Sequence, residues 1–366
     1  MNRLLGLYLV FAASVSAGDL QLTLPPVVYA TPDVPISIYD DNIVLTQTPE
    51  NYRFEFTCKL GRSEARRWTL TPVDADVGDH PLAVTVKDAS GKILEQGKTT
   101  LRVSPRKAGA GKPLRLLIIG DSLTHASLYP NEIARLLAQP GNPRSVLLGT
   151  HKPADAQPGV AHEGYGGWKW ADFLIKYTAP TPGATAGPLA RKATSPFIFP
   201  SSSGKTGKFD LDRYFKEHCD NEPPDIVTFL LGINDCFGAN PTKPDAKIDE
   251  VLDNADKLLA AFHKAAPKAI LAVGLTTPPN TRQEAFTANY KNNYSRWGWK
   301  RIQHRLVQRM LERLANREKD GIHLVPTELN LDPTDGYPAN NSVHPNPAGY
   351  AQVGASFYAW MKSRWQ

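Results

Sequence analysis

The chain is poor in cysteine: three in 366 residues, at Cys58, Cys219 and Cys236. An odd count is not a disulfide framework, and three scattered buried thiols are the expectation, although Cys219 and Cys236 flank a predicted strand and could pair. No Cys/His cluster has zinc-ligand spacing, and His125, His162, His218, His263, His304 and His323 share no metal-like pattern, so no metal site is expected. No long block of one charge occurs. The 42 basic and 36 acidic residues leave a formal charge of +6, mixed along the chain. That argues against nucleic acid or an anionic membrane as partner. The 31 prolines and 27 glycines are too few for a disordered chain, and 41% hydrophobic with 21% charged residues is ordinary globular composition.

What is present begins with a leader-like segment. Met1-Asn2-Arg3 is a short basic start, Leu4 to Ala13 an apolar run and Val15-Ser16-Ala17 a small-residue cleavage pattern. Together they read as a secretory signal peptide over residues 1–17, too short to span a membrane. No other long apolar stretch follows, so the expected location is secreted or periplasmic, without stable membrane insertion.

Residues 18–104 show short apolar segments separated by turn residues, among them Leu20–Leu24, Ile36–Tyr39, Tyr52–Cys58, Arg67–Leu70, Leu82–Val86 and Thr99–Val103. This rhythm predicts a small antiparallel β-sandwich without helices. Residues 105–113, rich in Pro, Gly, Ala and Lys, read as a linker. From residue 114 to 366 the pattern changes. Continuous apolar runs such as Leu114–Ile119, Ile226–Leu231, Ala269–Val273 and Ile322–Val325 suit strands buried on both faces. Helical patterns lie between them, which predicts an α/β domain with a parallel sheet covered on both sides. Residues 179–208, rich in Pro, Gly, Ser and Thr, read as a long insertion.

Gly120-Asp121-Ser122-Leu123-Thr124 directly follows the strand Leu114–Ile119. Ligands bind at the carboxyl ends of strands in such folds, and a Ser at the first turn of the next helix can act there as a nucleophile or merely cap the helix. Three further segments favour the nucleophile. His162-Glu163-Gly164-Tyr165-Gly166-Gly167-Trp168 is a Gly-rich loop that can bring a bare N–H to a substrate. Gly232-Ile233-Asn234-Asp235 opens at the same sheet edge, and the Asn234 side chain can donate to an oxyanion. Ser342-Val343-His344-Pro345-Asn346 supplies an imidazole, the right base for a Ser hydroxyl. No G-x-S-x-G elbow occurs, which argues against the α/β-hydrolase arrangement.

These four segments, in this order, resemble the SGNH (GDSL) hydrolase family over residues 114–366. The resemblance implies a flavodoxin-like three-layer α/β/α domain, esterase or lipase activity, and no metal or organic cofactor. It implies Ser122 as nucleophile, His344 as general base, and an oxyanion hole of the Ser122 and Gly164 backbone N–H groups with the Asn234 side chain. The β region in front is similar to domains that precede some secreted members. The family places Asp three residues before its His; here that position is Asn341. Three options follow: a dyad in which Asn341 or a backbone carbonyl steadies His344, a replacement carboxylate such as Asp335 or Asp332, or a slow or dead enzyme.

Asp121 and Asp235 read as hydrogen-bonded supports of their turns. Trp168, Trp170, Trp297 and Trp299 are candidates for stacking on sugar rings, with Trp168 the foremost for its place after the Gly-rich loop. The Arg residues at 301, 305, 309, 313 and 317 follow i, i+4 spacing and read as a solvated helix surface. The expected activity is that of a secreted serine esterase removing O-acetyl groups from carbohydrate. A lipase, phospholipase or thioesterase on the same machinery, a catalytically inactive carbohydrate-binding protein, and acyl transfer to a sugar hydroxyl are the alternatives.

Overall fold

The computed structural model describes residues 20–179 and 193–365. The leader-like segment, and residues 180–192 of the expected insertion, lie outside them.

Alternating apolar residues build the N-terminal strands β1 (Val27–Ala30), β2 (Ile36–Tyr39), β3 (Arg53–Thr57), β4 (Arg62–Glu64), β5 (Arg67–Leu70), β6 (Gly78–Lys87) and β7 (Ile93–Val103). They form two sheets, β1-β7-β6-β3 and β2-β5-β4. The inward residues Val28, Ile38, Trp68, Val84 and Leu101 close one core between them. Three details depart from expectation. Strand β1 runs parallel to β7, whereas every other pair here is antiparallel. Alternation sets which face is buried, not the direction of the neighbour. The Leu20–Leu24 run makes only an isolated bridge, Leu22 to Val44. A four-residue helix, α1 (Asp40–Ile43), also interrupts the region, too short to show a period.

The second part alternates strands with helices. Its strands are β8 (Pro113–Gly120), β9 (Arg144–Leu148), β10 (Glu163–Gly164), a small hairpin β11 (Ile198–Pro200) and β12 (Gly207–Phe209), then β13 (Ile226–Leu230), β14 (Ile270–Gly274) and β15 (Ile322–Val325). All but the hairpin join one parallel sheet in the order β10-β8-β13-β14-β15, with β9 also on β8. Leu116, Leu117, Ile118 and Ile119 on β8 are wholly inaccessible, as their unbroken apolar run requires. Burying each such side chain contributes roughly 1.5–3 kcal/mol.

Helices cover both faces. Helices α2 (Ser122–His125), α3 (Leu128–Leu137), α4 (Trp170–Ile175), α5 (Leu211–His218), α6 (Ile233–Cys236), α7 (Asp245–Ala265), α8 (Gln283–Tyr290), α9 (Arg296–Leu314), α10 (Thr327–Asn330) and α11 (Pro347–Lys362) follow in order. The pair α3 and α11 packs together, while α4, α5 and α9 gather around α7. The result is a three-layer α/β/α arrangement. The α9 arginines are less free than a solvated face would leave them. Arg305, Arg309 and Arg313, with Arg317 just beyond the helix, reach across to Asp245, Asp249, Asp253 and Asp256 of α7. Both helices present charges one turn apart, so the two rows pair rung by rung.

The N-terminal strands dock on α10. Asn42 Nδ2 donates to the carbonyls of Glu328 (2.7 Å) and Leu331 (2.8 Å), and Ser37 N–H to Asn330 Oδ1 (2.8 Å). The segment read as a linker is pinned: buried Lys362 donates to Ala108 O (2.8 Å), Gly141 O (3.1 Å) and Asn142 Oδ1 (2.8 Å). Cys219 and Cys236 are buried free thiols, and Cys58 is a half-buried one.

Candidate active site

Numbered along the sheet, β9-β8-β13-β14-β15 is a 2-1-3-4-5 order, whose switch point lies between β8 and β13. The crevice at the carboxyl ends of those two strands is where such a sheet binds ligands. Ser122 follows β8 there, and Asn234 follows β13.

The turn after β8 is tightly built. A side chain on Gly120 would overlap Thr124 Oγ1, so only glycine lets the strand end meet α2 so closely. Asp121 caps α2, its Oδ1 accepting the Leu123 N–H at 2.9 Å. The turn after β13 needs Gly232, at φ +121°, and Asp235 Oδ1 accepts the Trp170 N–H at 3.2 Å. Both carboxyls are pushed up to about 7, mainly by burial, and the Asp235 charge adds to the shift at Asp121. They brace the two turns, and among the described residues neither forms a hydrogen bond or ion pair with His344.

The imidazole arrives from the loop before α11. His344 Nε2 lies 2.9 Å from Ser122 Oγ, across 222 residues of sequence. Its Nδ1 lies 3.2 Å from Asn341 Oδ1, which also accepts the His344 backbone N–H at 3.0 Å. Asn341 therefore stands where the resemblance called for an acid. Burial lowers the His344 pKa below the ordinary histidine value. The replacement carboxylates are not brought to the ring. Asp332 and Asp335 turn instead to Arg66 of the N-terminal region, at 3.3 and 2.8 Å.

The loop carrying His344 is held by residues that sequence reasoning passed over. Asn280 Nδ2 donates to the carbonyls of Pro338 (3.0 Å) and Asn341 (2.9 Å), and Asn289 Oδ1 accepts the Ser342 N–H and hydroxyl, both at 2.7 Å. Isolated asparagines carry no periodic or motif signal that could have marked them.

The Gly-rich loop corrects two expectations. The Gly164 N–H is already given to His162 Nδ1 at 3.0 Å, deep in the protein, and a Cβ there would meet Thr124 at 2.5 Å. Gly164 is a strand-packing glycine and does not face the crevice with a free donor. Trp168 offers no ring face to a sugar. It is fully buried between Tyr165 and Phe173, with the Lys176 ammonium 4.6 Å from its centre. Trp170 and Trp299 are buried as well. The loop is anchored by Glu163, whose carboxylate accepts from the hydroxyls of Tyr165, Tyr214 (2.7 Å) and Thr150 (3.0 Å) and from the Thr150 N–H (2.8 Å). Further along, Asn234 Nδ2 donates one hydrogen to Trp168 O at 3.1 Å. The second hydrogen of that amide remains for a ligand.

A three-layer α/β/α protein with a Ser–His pair and amide donors at the switch point of its sheet is, as a class, a serine hydrolase fold. Residues 118–352 match the GDSL-like Lipase/Acylhydrolase family, and the chain belongs to that family of ester-hydrolysing enzymes. No curated protein matches the sequence. Among solved structures, a family 3 carbohydrate esterase from Clostridium thermocellum is similar at 17% identity and TM-score 0.42, over 68% of this chain and 94% of that one. A family 3 carbohydrate esterase from Talaromyces cellulolyticus is similar at 16% identity and TM-score 0.42, over 69% and 97%. A family two carbohydrate esterase from Clostridium thermocellum, in complex with cellohexaose, is similar at 15% identity and TM-score 0.37, over 90% and 88%.

Proposed function

We propose that this chain is an exported serine esterase that removes O-acetyl groups from carbohydrate. The observation that carries the catalytic part is the 2.9 Å contact between Ser122 Oγ and His344 Nε2 at the sheet's switch point. Ser122 attacks the ester carbonyl while His344 takes its proton. The tetrahedral intermediate collapses as His344 gives that proton to the departing sugar hydroxyl. Water, activated by the same imidazole, then releases acetate from the acyl-enzyme.

The oxyanion receives the Ser122 N–H and the second hydrogen of the Asn234 amide. Gly167 is the third donor in place of Gly164. It sits at φ +80° beside the carbonyl that Asn234 holds, and its N–H has no protein acceptor among the described residues. Asn341 steadies the imidazole without a charge, so the machinery works as an oriented dyad.

The polar character of the surroundings supports a hydrophilic substrate. The exposed large apolar residues among those described are Val73, Val77, Ile93, Val146 and Ile175, and none lies on the loops bearing Ser122, Asn234 or His344. A long acyl chain would need such a surface. The N-terminal basic, apolar and small-residue segments support export. No helix among the described residues is long and apolar enough to cross a membrane.

The deciding experiment compares acetate release from acetylated xylan or pectin with octanoate release from a long-chain ester, using purified full-length protein. Preference for the acetylated glycan is expected. Preference for the octanoyl ester would refute the carbohydrate reading. Failure of a fluorophosphonate probe to label Ser122 would refute the esterase reading.

A further inference from the structure

A cleft of about 350 Å³ opens where the N-terminal strands meet the strand-end loops. That volume lies within the roughly 300–1,000 Å³ of small-ligand sites. Both parts of the chain wall it. Asp40, Tyr52 and Arg66 come from the N-terminal region, and Thr281, Arg296 and Thr334 from the α/β part.

The position is informative. Thr281 lies on the loop that leaves β14, and Thr334 on the segment after the short helix α10 that follows β15. Those strands run parallel to β8 and β13, so the cleft opens at the same sheet edge as Ser122 and Asn234. The two threonines join by a 2.9 Å hydroxyl contact. Asn280, next to Thr281 in the chain, holds the carbonyls of Pro338 and Asn341 in the loop that carries His344. The cleft wall and the catalytic loop are thus one hydrogen-bonded unit.

The chemistry of the wall is that of a polyol site. Arg66 is spent on Asp332 and Asp335, and Arg296 donates to Gln47 O at 3.1 Å. With Asp40, Asp41 and Glu50 also at the rim, no surplus of positive charge remains for an anionic polymer. Asp40 Oδ1 is buried and has no partner among the described residues. Tyr52 is half-buried at the cleft, an aromatic with a polar tip. A carboxyl oxygen in need of a donor, paired hydroxyls and an aromatic ring suit an uncharged, hydroxyl-rich ring.

We propose that this cleft binds sugar residues of the glycan on the alcohol side of the scissile ester, which makes the N-terminal β region part of the substrate site. This rests on the carbohydrate-esterase reading above. The test measures kcat and KM of wild type, Tyr52→Ala and Asp40→Asn on an acetylated xylo-oligosaccharide and on 4-nitrophenyl acetate, with thermal melts to report the fold. Each variant is expected to raise the oligosaccharide KM about tenfold relative to the nitrophenyl acetate KM, with kcat on the oligosaccharide moving less. An oligosaccharide KM that neither substitution moves overturns the cleft assignment alone. A wild-type enzyme that cleaves 4-nitrophenyl acetate but frees no acetate from any acetylated oligosaccharide overturns the carbohydrate reading, and this assignment with it.

Discussion

Asn341 Oδ1 lies 3.2 Å from His344 Nδ1, so an amide occupies the place at the imidazole where a carboxylate would put a full charge. The amide oxygen selects the tautomer with hydrogen on Nδ1 and leaves Nε2 free to accept from Ser122. It contributes orientation and little charge stabilisation. His344→Ala is therefore expected to lower kcat by about a thousandfold or more, and Asn341→Ala by only about ten- to a hundredfold. Steady-state kinetics on 4-nitrophenyl acetate check this, and equal losses would place the orientation of the ring elsewhere.

The same geometry sets the pH response. As the proposed base His344 must be neutral, and burial lowers its pKa below the ordinary value of 6.5. The acidic limb of kcat/KM should therefore fall below pH 6.5. Asn341→Asp places a negative charge beside the ring, stabilises the imidazolium and moves that limb upward by about one pH unit or more. Matching pH–rate profiles for the two proteins would contradict this account of the site.

Asn234→Ala removes one of the proposed oxyanion donors and should reduce kcat by roughly 10²–10³-fold, with KM little altered. It also cuts the bond to Trp168 O. A loss confined to KM would mean that Asn234 binds the ground state instead.

Glu163→Gln tests the anchor of the Gly-rich loop. The carboxylate accepts from three hydroxyls and one N–H, and an amide would turn an NH₂ group toward one of those donors. A stability loss of about 1–3 kcal/mol is expected. Chemical denaturation measures it, and an unchanged midpoint would show that the loop holds without this cluster.

Asp235 carries a raised pKa of about 7. Between the unfolded value near 4 and this folded value, the folded state binds more protons than the unfolded one, so the group's contribution to stability falls as pH rises through that window. Asp235→Asn keeps an acceptor for the Trp170 N–H and removes the titration. Its Tm relative to wild type should therefore improve from pH 4 to pH 8, and a flat difference would speak against a buried protonated carboxyl.

Much of this was written in local pattern. The unbroken apolar runs of β8, β13, β14 and β15 can bury only when both faces are covered, which demands a parallel sheet with flanking helices. The order of the Ser122, Asn234 and His344 segments follows from strands whose carboxyl ends share one edge. Local pattern stops where direction and depth begin. Nothing near Gly164 or Trp168 in sequence tells that His162 takes the one N–H and that Tyr165 and Phe173 cover the other ring, because those contacts depend on how the loop folds back on β8. Nor could spacing along the chain decide between Asn341 and the two aspartates. Asp332 and Asp335 are drawn away by Arg66, more than 260 residues earlier in the chain, and such a pairing exists only once the N-terminal sheets have docked on α10.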